Sequence, residues 1–206
     1  MKFKNLTWFI AIIFAFLSCK SPEDKAYTAE IQSWQDTINM EFKDTAESPL
    51  TKENYTVFKG LEFFKIDPKY RVIAQFERTP DQPSFGMKTT TDRLPVYKKY
   101  GEVYFVLDGV KCKLNIYQNQ ELILQEKYRD YLFIPYIDET SGKESYGGGK
   151  YLDLRIPSGD SLVIDFNKAY NPYCAYNHHY SCPIPPYENT LKVSVYAGVK
   201  AYTLSH

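Results

Sequence analysis

The chain has no surplus of charge of either sign. Lys and Arg number 25, Asp and Glu 25, and two of the lysines, Lys2 and Lys4, sit at the extreme N-terminus. The remainder carries a slight negative excess, which gives no electrostatic reason to bind nucleic acid or an anionic lipid surface. Histidine is scarce, with three residues, two of them adjacent at His178 and His179. Neither a G-x-S-x-G elbow nor an H-E-x-x-H helix occurs, so the sequence offers no marked serine nucleophile and no zincin site. Gly147-Gly148-Gly149-Lys150 lacks the Ser or Thr of a phosphate loop and leads into a strand pattern, which excludes a nucleotide site. No repeat or low-complexity linker divides the chain. The apolar run Leu6–Leu17 is too short for a comfortable membrane span.

That run follows the basic residues Lys2 and Lys4 and ends in Phe16-Leu17-Ser18-Cys19, the layout of an export signal with a lipoprotein box. Residues 1–18 are therefore expected to be a signal peptide and Cys19 the lipidated N-terminus. Residues 19–26 would form a tether, and residues 27–206 one domain. The expected address is the cell envelope, on the periplasmic or surface face of an outer membrane, with that membrane as the partner of the Cys19 lipid.

What the chain has in quantity is aromatic carbon, with 19 Tyr and 13 Phe. Such rings pack a core while keeping a polar tip, and some can stack on sugars. Ser21-Pro22-Glu23-Asp24 is a helix start, and Tyr27, Ile31, Trp34, Ile38 and Phe42 repeat at helical spacing to about Lys43. After Pro49 the period changes to two. Tyr70, Val72, Ala74 and Phe76 alternate with polar neighbours, as do Val103, Phe105 and Leu107. Asp108-Gly109 then joins this run to Val110, Cys112, Leu114 and Ile116, a hairpin signature. Further strands are expected over 131–137, 151–156, 162–166 and 191–197, and no second helix of any length. The fold class is mainly β: a single antiparallel barrel or sandwich-like domain with an N-terminal amphipathic helix.

Two long polar connections interrupt the strands, 138–150 and 167–189, and structureless segments of that length are usually functional. The phrases YLFIPYIDETSGKESYGGGKYLDL (131–154) and IDFNKAYNPYCAYNHHYSCPIPPYEN (164–189) resemble the domain-of-unknown-function family 1684. FKGLEFF, YRVIAQF, MKTTTDRLPVYKKYGEVYF and LKVSVYAGVK add to the resemblance, which spans nearly all of the chain after the leader. With its lipoprotein signal the chain looks like a Bacteroidetes member. It departs from the family step TSGxETYGGGRYL at Ser145 and Lys150. The closing AGE becomes Ala197-Gly198-Val199, so no role for a terminal acid carries over. The resemblance implies a fold and a pair of motifs, and no activity.

Cys174 and Cys182, spaced C-x7-C, are expected to pair as a disulfide in an oxidising compartment, closing a loop worth about 2.5 kcal/mol in the chain-entropy estimate. The alternative is a metal site from Cys174, His178 and Cys182, although the spacing matches no standard zinc module. Asp165, Glu188 and Glu144 are the candidate acids if the domain is an enzyme, most plausibly a hydrolase. Against that, Asp165 and the neighbouring asparagines can instead hold proline-rich turns in shape. Asp138, Tyr146, Tyr151, Asn167, Tyr170, Asn171, Tyr176 and Asn189 are the candidate ligand-binding residues. The leading expectation is a non-catalytic domain that binds a small polar ligand, a glycan fragment among the possibilities, without a cofactor and without nucleic acid.

Overall fold

The computed structural model describes residues 21–202. The expected leader and the Cys19 lipidation site lie outside the described residues. Helix α1 (Pro22–Lys43) opens with a capping box. Ser21 Oγ accepts from the Asp24 amide at 3.0 Å, and the Asp24 carboxylate accepts from the Ser21 amide at 3.2 Å. Pro22 lacks an N–H that the helix could not have used. The apolar stripe turns inward as its spacing predicts, with Ile31 and Phe42 buried and Trp34 and Ile38 half-buried. A second, six-residue helix, α2 (Lys52–Val57), is capped by Thr51 and corrects the expectation of a single helix. It is too short to leave a periodic trace.

Seven strands follow: β1 (Arg71–Arg78), β2 (Ser84–Gly86), β3 (Val96–Leu107), β4 (Val110–Asn119), β5 (Tyr131–Tyr136), β6 (Lys150–Arg155) and β7 (Ser161–Asp165). They form one antiparallel sheet in the order β6-β5-β4-β3-β1-β7, with β2 paired to β3, curled into a half-barrel. The mainly-β expectation therefore holds. Leu107 pairs with Val110 across Asp108-Gly109, whose φ values of 47° and 78° are what a two-residue primed turn demands. The register slips between Lys99 and Gly101. There Gly101 lets β1 approach, since a Cβ would lie 2.5 Å from the Phe76 ring.

Successive side chains in a strand point to opposite faces, and this sheet is covered on both. One face carries Val103, Leu114, Ile116, Leu132, Ile134 and Ile164, all fully buried. The opposite face carries a smaller aromatic cluster of Tyr97, Tyr117, Phe133 and Tyr151 with Met87. The edge strands β6 and β7 do not pair with each other. The chain leaving β7 crosses back instead, and Tyr170 exchanges both backbone hydrogen bonds with Tyr151 of β6, at 2.8 and 3.1 Å.

The segment expected as a strand over 191–197 is not one. Leu191, Val193, Val195 and Ala197 are buried at alternate positions, so the period of two is real. Its hydrogen bonds, however, run to buried side chains as well as to backbone. The Val195 amide donates to Asp138 Oδ1 at 3.1 Å, and Lys150 Nζ donates to the Val195 carbonyl at 3.0 Å. Two backbone bonds, Leu191 N–H to Ile137 O and Glu139 N–H to Val193 O, complete the anchorage. The result is a strap held by an ion pair rather than a ladder.

Candidate functional site

The 138–150 connection, expected as an open functional loop, is closed on itself. Thr140 and Ser145 hydroxyls share a hydrogen bond of 2.8 Å, and the amides of Ser141, Gly142, Lys143 and Ser145 all bond within the segment. Asp138 is buried beneath it and accepts from the Thr140 amide at 2.8 Å. Lys150, fully buried, lies 3.2 Å from Asp138 Oδ2 without the alignment of a hydrogen bond. Burial lowers the Lys150 pKa, and the Asp138 carboxylate opposes that shift. Asp138 is thus a structural anchor.

Asn167 and Asn189 are anchors of the same kind. Asn167 Nδ2 donates to the Asp67 carbonyl at 3.0 Å and its Oδ1 accepts from the Asp67 amide. Asn189 bonds both backbone groups of Asn115 and the Pro135 carbonyl. The three candidate acids do not share a site. Asp165 caps a 3-10 turn through the Asn167 amide and accepts the Tyr27 hydroxyl at 2.9 Å, which pins α1 to the end of β7. That contact also raises the Tyr27 phenol, burial being the larger cause. Glu188 and Glu144 are exposed on separate segments.

Cys174 and Cys182 are free thiols in this structure, and the expected disulfide is not formed in it. They are nonetheless buried neighbours. The Cys174 amide donates to Cys182 Sγ at 3.1 Å, and the Tyr146 hydroxyl lies 3.9 Å from Cys174 Sγ. The hydrogen bond between the thiols lowers the Cys174 pKa and raises that of Cys182. His178 is exposed while both cysteines face inward. Among the described residues no group of three or more His, Cys, Asp or Glu side chains is placed to hold a metal ion, so the Cys174–His178–Cys182 alternative does not assemble.

The expected ligand residues that do meet are Tyr151, Tyr170, Asn171 and Tyr176. They line an open cleft of about 540 Å³ between α1 and the aromatic face of β5 and β6. Helix α1 supplies Trp34, Ile38, Glu41 and Phe42 to one wall, and Tyr97 and Phe133 form the sheet side. The 167–189 segment closes the rest with Tyr173, Tyr180, Ser181 and Cys182. Ring contacts fix this lining. Phe133 and Tyr151 meet edge-on at 4.8 Å, Tyr151 and Tyr170 at 5.8 Å, and Phe42 and Tyr176 at 4.8 Å. Tyr146 packs behind this wall and does not line the cleft. A larger cavity of about 700 Å³ lies between residues 56–62 and 199–202. It has no carboxylate bonded to tyrosine hydroxyls, and the smaller cleft is the better candidate.

The cleft contains a residue that sequence reasoning missed, Asp153 of β6. It pairs with Phe133 in the ladder and so points to the aromatic face. Its Oδ1 accepts the hydroxyls of both Tyr131 and Tyr170 at 2.7 Å. Rings stand on its flanks, yet Asp153 is an exposed residue that opens on the cleft. This crowding raises the Asp153 carboxyl pKa, opposed by the two tyrosine hydroxyls and by the charge of Arg155. The signal for it was the run Tyr131–Tyr136, which has too few polar residues for a strand with one wet face.

A solution NMR structure of an uncharacterised protein from Haloarcula marismortui is similar, with 33% identity over 89% of this chain and 98% of that one and a TM-score of 0.68. No curated protein matches the chain. The model of one family, described as "Protein of unknown function (DUF1684)", matches residues 56–200, which takes in every strand and most of the cleft, and the chain belongs to that family.

Proposed function

We propose that the protein is a small-ligand binding protein of the cell envelope, held to a membrane by lipid on Cys19. The observation that carries the binding reading is the open cleft, walled by rings and floored by the carboxylate of Asp153. Concave, mainly apolar sites with a few convergent polar groups and a perturbed acid are the usual form of ligand pockets. The envelope reading, and with it a Bacteroidetes lipoprotein, rests on the basic, apolar and Ser18-Cys19 sequence at the N-terminus. Cys174 and Cys182, already neighbours, would close the C-x7-C staple in an oxidising compartment.

A ligand that binds only the folded state raises its melting temperature. Thermal-shift screening of the full-length chain in detergent, against neutral sugars, amines and nucleosides, should therefore find a stabilising class. Trp34→Ala, which removes a wall of the cleft, should abolish that stabilisation. A library without a single stabilising compound, or one whose effect survives in Trp34→Ala, would overturn the assignment of this cleft.

A further inference from the structure

The polar groups of the cleft are unevenly spent. Some of its hydrogen-bond donors are engaged inside the protein. The Tyr170 hydroxyl donates to Asp153, and the Tyr151 hydroxyl to the Pro183 carbonyl. Asn171 Nδ2 donates to the Tyr176 hydroxyl at 3.2 Å and to the Lys200 carbonyl at 2.9 Å. Lys168 Nζ is held 2.6 Å from Glu30 Oε1, which neutralises the cation at the rim. Two acceptors remain. Asp153 Oδ2 takes no hydrogen bond from the described residues, since both tyrosines bond Oδ1. Asn171, which also lines the cleft and is 1% exposed, carries a buried Oδ1 with no partner.

Asp153 Oδ2 opens on the cleft, where an N–H or O–H group of a ligand can meet it, whereas Asn171 Oδ1 is shut away from solvent. The ligand should therefore bring an N–H or O–H group to Asp153. Charge narrows the class further. Among the lining residues the carboxylates are Asp153 and Glu41, and the cation Lys168 is paired with Glu30; outside the lining, Arg155 is paired with Asp130 at 2.6 Å and Arg93 is bonded to Ser181. The walls present the π faces and edges of Trp34, Tyr97, Phe133 and Tyr173, and an aromatic face attracts a cation most strongly where water is displaced. An anion would meet two carboxylates.

We infer that the ligand of this cleft is an organic cation, a protonated alkyl- or arylalkylamine, with Asp153 as its counter-ion and the surrounding rings as its walls. This rests on the binding reading of the cleft and names its ligand class. Calorimetric titration of the full-length chain in detergent with benzylammonium, benzyl alcohol and N-acetylglucosamine separates the two claims. Benzylammonium should bind at least about tenfold more tightly than its neutral analogue. That margin should shrink as salt rises, because screening weakens the charge pair and leaves ring packing alone. Asp153→Asn, whose Oδ1 can still accept both tyrosine hydroxyls, should keep the wild-type melting temperature and remove the margin. If the variant fails to fold, the salt series on the wild-type protein decides. Equal binding of benzyl alcohol, or preferred binding of N-acetylglucosamine, would overturn the cation and leave the cleft as a binding site. No benzylammonium binding up to about 10 mM, a weak-site concentration on the affinity scale, would overturn the inference outright.

Discussion

At the scale of single residues, the polar side chains of the two long motifs serve mostly as mortar. Lys150 is the clearest case: fully buried, it bonds the Val195 and Ala197 carbonyls and faces Asp138. Lys150→Met fills the same volume and leaves Asp138 charged and alone. It should cost about 3–5 kcal/mol, the usual result of breaking a buried pair from one side, read as a lowered urea midpoint. Glu102 is an acid whose ionisation bears on pH stability. Hydrogen bonds from Lys99 and Tyr104, joined by Lys113, hold its carboxyl at about 2 against the opposing effect of partial burial. A depressed carboxyl stabilises the fold above its unfolded value and loses that contribution as the pH falls through the folded value. The wild-type protein should therefore lose stability between about pH 4.5 and about pH 2, and Glu102→Gln should flatten that part of the unfolding profile.

At the scale of elements, helix α1 is tethered at both ends of its buried stripe. Tyr27 bonds Asp165 at the start, and Phe42 stacks on Phe58 at 5.7 Å near the end. Tyr27→Phe removes the hydrogen bond to the Asp165 carboxylate and the one that Asn167 Nδ2 donates to the Tyr27 hydroxyl, and should cost about 1.5–3 kcal/mol. Amide exchange should quicken in α1 while β3 and β4 stay protected, and uniform acceleration would show that the helix is not a separable unit. Local signals made several of these elements legible in advance. The Ser21 cap, the α1 stripe and the Asp108-Gly109 hairpin each depend on neighbours in sequence. The 191–197 strap was misread because alternation reports which side chains are buried and says nothing about what the backbone bonds to. The 138–150 connection misled for a related reason. Its glycines and hydroxyls are turn formers, and the same residues build an open loop or a closed knot. Among the described residues no helix is long and apolar enough to cross a membrane.

At the scale of the whole molecule, the two faces of the half-barrel have different tasks. The aliphatic face makes the core, while the aromatic face supports the cleft. Sequence order hid that division, because the cleft draws on α1, β3, β5, β6 and the 167–189 segment, which meet only after the sheet has curled. Asp153 between Leu152 and Leu154 reads as an ordinary outward residue until α1 is seen to cover that side. The buried ion pair carries a last consequence. A growing chain emerges from its N-terminus, so Asp138 and Lys150 are made well before residues 191–199, whose backbone they hold. Until those closing residues arrive, the pair has no enclosure and its charges stay in water. The fold thus contains its own check for completeness, and a chain released early lacks the piece that its most deeply buried charges require.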